Sequence, residues 1–229
     1  MEERLNKWLS RMGVCSRREA DRLIEAGKVL VDNRPASMGQ KVTPGQKVVC
    51  NGRMVRVDKS RKPRPVLLAV NKPRGIVCTT TDKDRAENIV DFLGYPERIY
   101  PVGRLDKDSE GLLLMTNQGD LVNKIMRSGN AHEKEYIVTI DKPVTERFLE
   151  QMAGGIRLPE LDQMTRPCKV KKVERNTFSI ILTQGLNRQI RRMCEACGCQ
   201  VKRLVRVRIM NIRLGNLRTG AYRQIPKEE

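Results

Sequence analysis

Aromatic residues are scarce: three Phe, four Tyr and one Trp in 229 residues, scattered along the chain. A sheet that reads RNA by stacking bases clusters its aromatics on one strand, so that class of binder is not expected. Histidine occurs once, at His132. The seven cysteines are odd in number and irregularly spaced, which argues against a disulfide framework. Cys194, Cys197 and Cys199 form one Cys-x-x-Cys pair with no second pair, and Cys168 could join them only by a coincidence of folding. Free thiols packed as small apolar side chains are the better reading than zinc. No apolar run approaches the roughly 18 residues of a spanning helix. The opening Met1-Glu2-Glu3-Arg4 lacks the apolar core of a signal peptide, so a soluble cytoplasmic protein is expected. The P-loop and the dinucleotide fingerprint are absent, as are internal repeats and low-complexity tracts.

What is abundant is positive charge. Lys and Arg number 45 against 27 Asp and Glu, a net of +18. Such an excess points to a polyanion, either nucleic acid or an acidic membrane surface. Residues 1–64 hold 16 basic and 7 acidic side chains, and the other 165 hold 29 and 20. Each part carries +9, so half the excess sits in just over a quarter of the length. This asymmetry marks a separate basic module at the N-terminus, and the length suits one large domain or two smaller ones.

Leu5, Trp8, Leu9 and Met12 recur at helical spacing, and Gly13 closes that helix. Ser16-Arg17-Arg18-Glu19 matches a capping box and starts a second helix. Its apolar face is Ala20, Leu23 and Ile24, and Gly27 ends it, leaving Arg17, Arg18 and Arg22 free for phosphates. Short strands follow at Val29–Val31 and, after Pro44-Gly45, at Val48–Cys50. Arg4-Leu5-Asn6-Lys7, Ser16–Ala20 and Val42–Val48 resemble the alpha-L RNA-binding motif of a ribosomal small-subunit protein. That resemblance makes Arg4, Lys7, Arg17, Arg18 and Arg22 the expected RNA-docking cations. Membrane docking is disfavoured, because Trp8 and Leu9 share the core face and no spare apolar face exists to insert.

Asp58–Pro65 has no apolar residue apart from its prolines and reads as an extended linker. Beyond it, Val66–Val70 reads as a strand and Asn71–Gly75 as a turn. Ile89–Leu93 and Leu121–Met126 suit helices, His132–Ile140 alternates as a strand, and Thr145 caps a helix to Met152. Val170–Val173 and Phe178–Leu182 look like paired strands. Asn187–Gly198 reads as a helix with two stripes. Ile190, Met193, Cys194 and Cys197 are apolar, whereas Arg188, Arg191, Arg192 and Glu195 lie about 200° around the axis, toward solvent or a cleft. Val201–Ile212 alternates in part.

The central stretch is Gly103–Asn117. Its polar turn, Asp106 to Gly111, lies between the apolar runs Ile99–Val102 and Leu112–Met115, which places three acidic side chains at the edge of a core. Asp106, Asp108, Glu110 and Gly111 imitate the opening of a calcium loop. The twelfth position, however, is Asn117 where a bidentate Glu is required, and calcium is rejected.

Gly103-Arg104-Leu105-Asp106-x-x-Ser109-x-Gly111-Leu112-Leu113-Leu114-x-Thr116-Asn117 resembles the signature of RsuA-type bacterial ribosomal RNA pseudouridine synthases. Asn71-Lys72-Pro73-x-Gly75, Lys134-Glu135-Tyr136 and Asn187–Met193 fit in order, so the resemblance spans almost the whole chain. Gly119–Lys124 and His132–Tyr136 look most like the RluF branch, which acts on 23S ribosomal RNA. The chain stops soon after Ile225, so any C-terminal extension found in relatives is expected to be missing.

The resemblance implies an α+β fold: an alpha-L module over 1–60, a linker at 61–65, and a catalytic domain over 66–229 with a mixed, largely antiparallel sheet, flanking helices and a central cleft. It also implies roles. Asp106 is the catalytic carboxylate, Tyr136 lies against the target base, and Arg191 pairs with Asp106. Leu204 forms the apolar wall below the base. Arg104, Arg188 and Arg192 bind substrate, with Arg104 taking the emptied place of the base or a phosphate.

Uridine becomes pseudouridine when the base leaves C1′, turns and rejoins through C5. Nothing is oxidised, so no cofactor or metal is expected. A carboxylate serves as nucleophile or proton acceptor; attack at C1′, attack at C6 and proton removal at C2′ all remain open. Burial disfavours the ionised carboxylate, whereas a guanidinium restores it. The base must be extruded from folded RNA, and a flat ring replaces its stacking. Ribosomal RNA is the expected partner, with transfer RNA as a further one, no membrane, and a monomeric chain. The alternative is a non-catalytic RNA-binding ribosome-assembly factor.

Overall fold

The computed structural model describes residues 2–55, 64–79, 87–126 and 132–226. The chain divides into two compact units, Met1–Arg64 and Pro65–Glu229. The stretch read as linker lies outside the described residues up to residue 63. Among the described residues no helix is long and apolar enough to cross a membrane.

The first unit packs α1 (Leu5–Arg11) and α2 (Arg17–Glu25) beside a small antiparallel sheet of β1 (Val29–Val31), β2 (Arg34–Pro35), β3 (Val48–Cys50) and β4 (Arg53–Met54), in the order β2-β1-β3-β4. Ser16 caps α2 by accepting from the Glu19 N–H at 3.1 Å, and Gly13 and Gly27 turn the chain out of the two helices at positive φ. Leu5, Leu9, Ala20, Ile24, Val29 and Val48 close one core. Arg4, Arg17, Arg18 and Arg22 are exposed. Lys7 is half-buried near Glu3, and Arg22 pairs with Glu19 across one helical turn.

In the second unit a nine-stranded sheet carries the helices. Its strands are β5 (Leu67–Lys72), β6 (Tyr100–Val102), β7 (Glu110–Thr116), β8 (Lys134–Ile140), β9 (Lys169–Glu174), β10 (Thr177–Leu182), β11 (Val201–Ile209), β12 (Ile212–Arg213) and β13 (Tyr222–Gln224). The path is β9-β10-β8-β11-β7-β5-β13, with β12 beside β11 and β6 beside β7. Among the described residues the strands of this sheet pair antiparallel except β11 on β7, where Val205 faces Glu110 and Arg206 faces Gly111. Leu112, Leu113, Leu114 and Met115 are fully buried, as an apolar run in a central strand should be. The helices are α3 (Ile89–Leu93), α4 (Gly119–Met126), α5 (Glu146–Gly154) and α6 (Gln189–Ala196). Asn88 caps α3, and Thr145 caps α5 by accepting from the Phe148 N–H at 3.2 Å. The helix expected from Asn187 begins two residues later, because Arg188 takes the left-handed conformation at φ 51°.

Candidate active site

The turn from Arg104 to Ser109 is held almost entirely by its own carbonyls. Arg206 donates to Arg104 O, the Ser109 N–H to Asp106 O at 3.0 Å, the Gly75 N–H to Lys107 O at 2.8 Å, and Arg191 to Asp108 O at 2.9 Å. The Leu105 N–H points to Cys78 Sγ at 3.4 Å. The Asn71–Gly75 segment thus has a purpose the sequence leaves unstated: it ends β5 and braces the turn. With its backbone fixed from several sides, the turn presents a half-buried Asp106 whose carboxylate accepts no hydrogen bond and forms no ion pair among the described residues.

Asp106 lines a cleft of about 710 Å³. Arg104, Tyr136, Arg188, Arg191 and Leu204 line it too. Among the described residues its lining includes seven arginines and lysines and one carboxylate, Asp106. A cleft so unbalanced favours the phosphates of any nucleic acid brought to it. Tyr136 is in register with Arg206, and Leu204 with Val138, so Tyr136, Leu204 and Arg206 share one sheet face. A bulge between Glu135 and Tyr136 falls next to the cleft, where bulges commonly re-aim a side chain.

Two expectations need correction. Arg191 makes no ion pair with Asp106. Its Nη2 instead donates to Asp108 O and lies 3.4 Å from Ser109 Oγ, and its Nη1 lies 3.5 Å from Val201 O. The guanidinium, 8% exposed, grips the backbone of the turn and acts on Asp106 through space. Burial pulls the Arg191 pKa down, helped by Arg188, whereas the Asp108 and Asp106 carboxylates draw it up. Arg192 does not line the cleft. One position beyond Arg191 it points about 100° further round the helix, pairs with Glu160 and donates to Asn187 O.

Asp108 and Glu110, the other two acids of the stretch, both have cationic partners. Arg188 lies 3.7 Å from Asp108, and Arg203 holds Glu110 at 2.8 and 3.3 Å. Sequence reasoning also gave no role to Lys72 and Arg206. Lys72 is fully buried, donates to Pro73 O at 2.8 Å, and has its pKa lowered by burial against the opposing pull of Cys78 and Asp106. Its place at the end of the apolar strand Leu67–Val70 was the available signal. The cysteines are free thiols; burial pushes Cys168 up to about 11 and raises Cys194 and Cys197.

A carboxylate unpartnered among the described residues, sharing one cleft with a tyrosine, a leucine and seven cations, has the make-up that chemistry on a polyanion calls for. A family model described as RNA pseudouridylate synthase matches residues 66–196, and one described as S4 domain matches residues 3–48. The dual-specificity RNA pseudouridine synthase RluF of Escherichia coli (strain K12) is 52% identical over 226 residues, covering 99% of this chain and 76% of that protein. The ribosomal large subunit pseudouridine synthase B of Bacillus subtilis (strain 168) is 36% identical over 235 residues, covering 99% and 93%. A crystal structure of a pseudouridylate synthase superposes with a TM-score of 0.71 at 26% identity, covering 99% of this chain and 97% of that one.

The chain belongs to the RNA pseudouridine synthase family, and its fold is the α+β architecture expected. Within that family it is an RsuA-type enzyme of the RluF branch: an isomerase with RNA as its substrate.

Proposed function

We propose that the enzyme isomerises a uridine of large-subunit (23S) ribosomal RNA, with Asp106 as the reacting carboxylate. The observation that carries this is the Asp106 carboxylate itself, unpartnered among the described residues in a cleft whose other charged lining residues, among those described, are Arg and Lys. Asp106 acts on the nucleotide as nucleophile or proton acceptor. Tyr136 lies against the extruded base over the apolar wall of Leu204. Arg191 fixes the turn and supports the charge of Asp106, and Arg104 and Arg188 hold substrate phosphates. Relatives whose names specify the ribosomal large subunit support the substrate, and the dual specificity in RluF's name supports a second RNA, which we take to be transfer RNA. The protein works as a cytoplasmic monomer, docking RNA through residues 1–60 and reacting through 66–229.

The direct test is to incubate the protein with in vitro-transcribed ribosomal RNA and map pseudouridine by carbodiimide-blocked primer extension. One or more new stops in 23S RNA are expected; stops only in other RNAs refute the assigned substrate. The docking role predicts a salt effect. Replacing Arg17, Arg18 and Arg22 by Ala should reduce the slope of log affinity against log salt by about 2, since each phosphate contact contributes about 0.7–0.9. An unchanged slope in filter binding removes these residues from the interface.

A further inference from the structure

Arg206 is the one buried cation of the cleft that the reading above leaves without work. It is 4% exposed, and no carboxylate pairs with it among the described residues. Its Nε donates to Leu112 O at 2.7 Å and its Nη1 lies 3.4 Å from Arg104 O, so the guanidinium ties the two ends of the turn that carries Asp106. Its Nη2 is buried with no partner among the described residues. Burying a guanidinium without a counter-ion is costly, and leaving one of its N–H groups unsatisfied adds to that cost. The neighbours make matters worse, because Lys72 and Lys134 both feel its like charge. The site is built to receive negative charge from something that enters the cleft.

Register says where. Arg206 sits between Tyr136 on β8 and Gly111 on β7, and side chains in register share a face. Gly111 contributes no side chain, so Tyr136 is the cross-strand side-chain neighbour of Arg206, and both line the cleft. The chemistry says what arrives. Whether C1′–N1 breaks with its electron pair leaving on the ring, or a carboxylate adds at C6, negative charge moves onto a carbonyl oxygen of uracil. When C5–C1′ forms, C5 loses its hydrogen, N1 gains a proton, and the charge is discharged. We infer that Arg206 is a catalytic residue whose Nη2 donates to a uracil carbonyl oxygen, O2 or O4, and stabilises the charge that develops there.

This rests on the reading of Asp106 and Tyr136 given above, and the test separates the two. RNA fragments carrying the mapped uridine, with sulfur in place of O2 or of O4 and tritium at C5, are compared with the unmodified fragment by single-turnover tritium release. Wild type should lose rate, about 10-fold, at one of the two positions. Arg206→Gln, and Arg206→Lys if Gln lowers the melting temperature, should lose about 100-fold on the normal RNA at near-unchanged affinity. At the sensitive position sulfur should cost the variant nothing further, a non-additivity that a structural role does not produce. Equal wild-type rates on all three RNAs, or a variant slowed by one common factor on each, overturns the proposal for Arg206. An active Asp106→Asn overturns the underlying reading instead.

Discussion

Asp106→Asn should bind ribosomal RNA as tightly as wild type and form no pseudouridine. The substitution keeps size and shape, and nothing in the turn depends on the carboxylate. The Asp106 backbone carbonyl, not the side chain, accepts from Ser109, and neighbouring carbonyls accept from Gly75, Arg191 and Arg206. The fold should therefore survive. What is lost is the group able to attack the nucleotide or take its proton, and removing such a group typically costs about 10⁴-fold or more. Single-turnover assays with excess enzyme would read the loss, and filter binding the retained affinity. Activity within 10-fold of wild type would remove Asp106 from the mechanism.

Gly111→Ala should strike stability instead. Gly111 has φ +103°, a conformation that L side chains rarely adopt. A Cβ there would lie 2.4 Å from Arg206 O and 2.8 Å from Arg206 N. Both are backbone atoms of the adjoining parallel strand and cannot rotate aside. Strain and overpacking together should cost about 4 kcal/mol. For a protein of this size that lowers the melting temperature by about 10 °C. A circular-dichroism melt displaced by less than 3 °C would mean that β7 and β11 separate more easily than their register implies.

Much of this site was legible where sequence pattern and local physics coincide. The four-residue apolar run after Gly111, bounded by turn residues, suits a buried strand, and it is one. Ser16 and Thr145 announced their helices because an N-cap satisfies backbone donors by local contacts alone. Burial of cations was not legible. Arg203, Arg206 and Arg208 recur in one strand, and only the partner strands decide their fates. Arg203 meets Glu110, Arg208 meets Glu133 and Glu135, and Arg206 meets a glycine and turns inward. The grip of Arg191 on Asp108 O was equally hidden, because backbone carbonyls carry no sequence signal. Adjacent Arg192 differs from Arg191 only by one step of helical rotation.

The parallel seam between β7 and β11 joins segments more than ninety residues apart. Asp106 is synthesised early, yet Arg191, Leu204 and Arg206 come later, and β11 must seat beside Gly111 before the turn has its second set of braces. Domains fold as units once their chain is available. A nascent chain that has reached only α5 therefore holds its carboxylate in an unfinished setting. Competence comes late in translation, and the growing chain has no finished pocket to offer stray RNA.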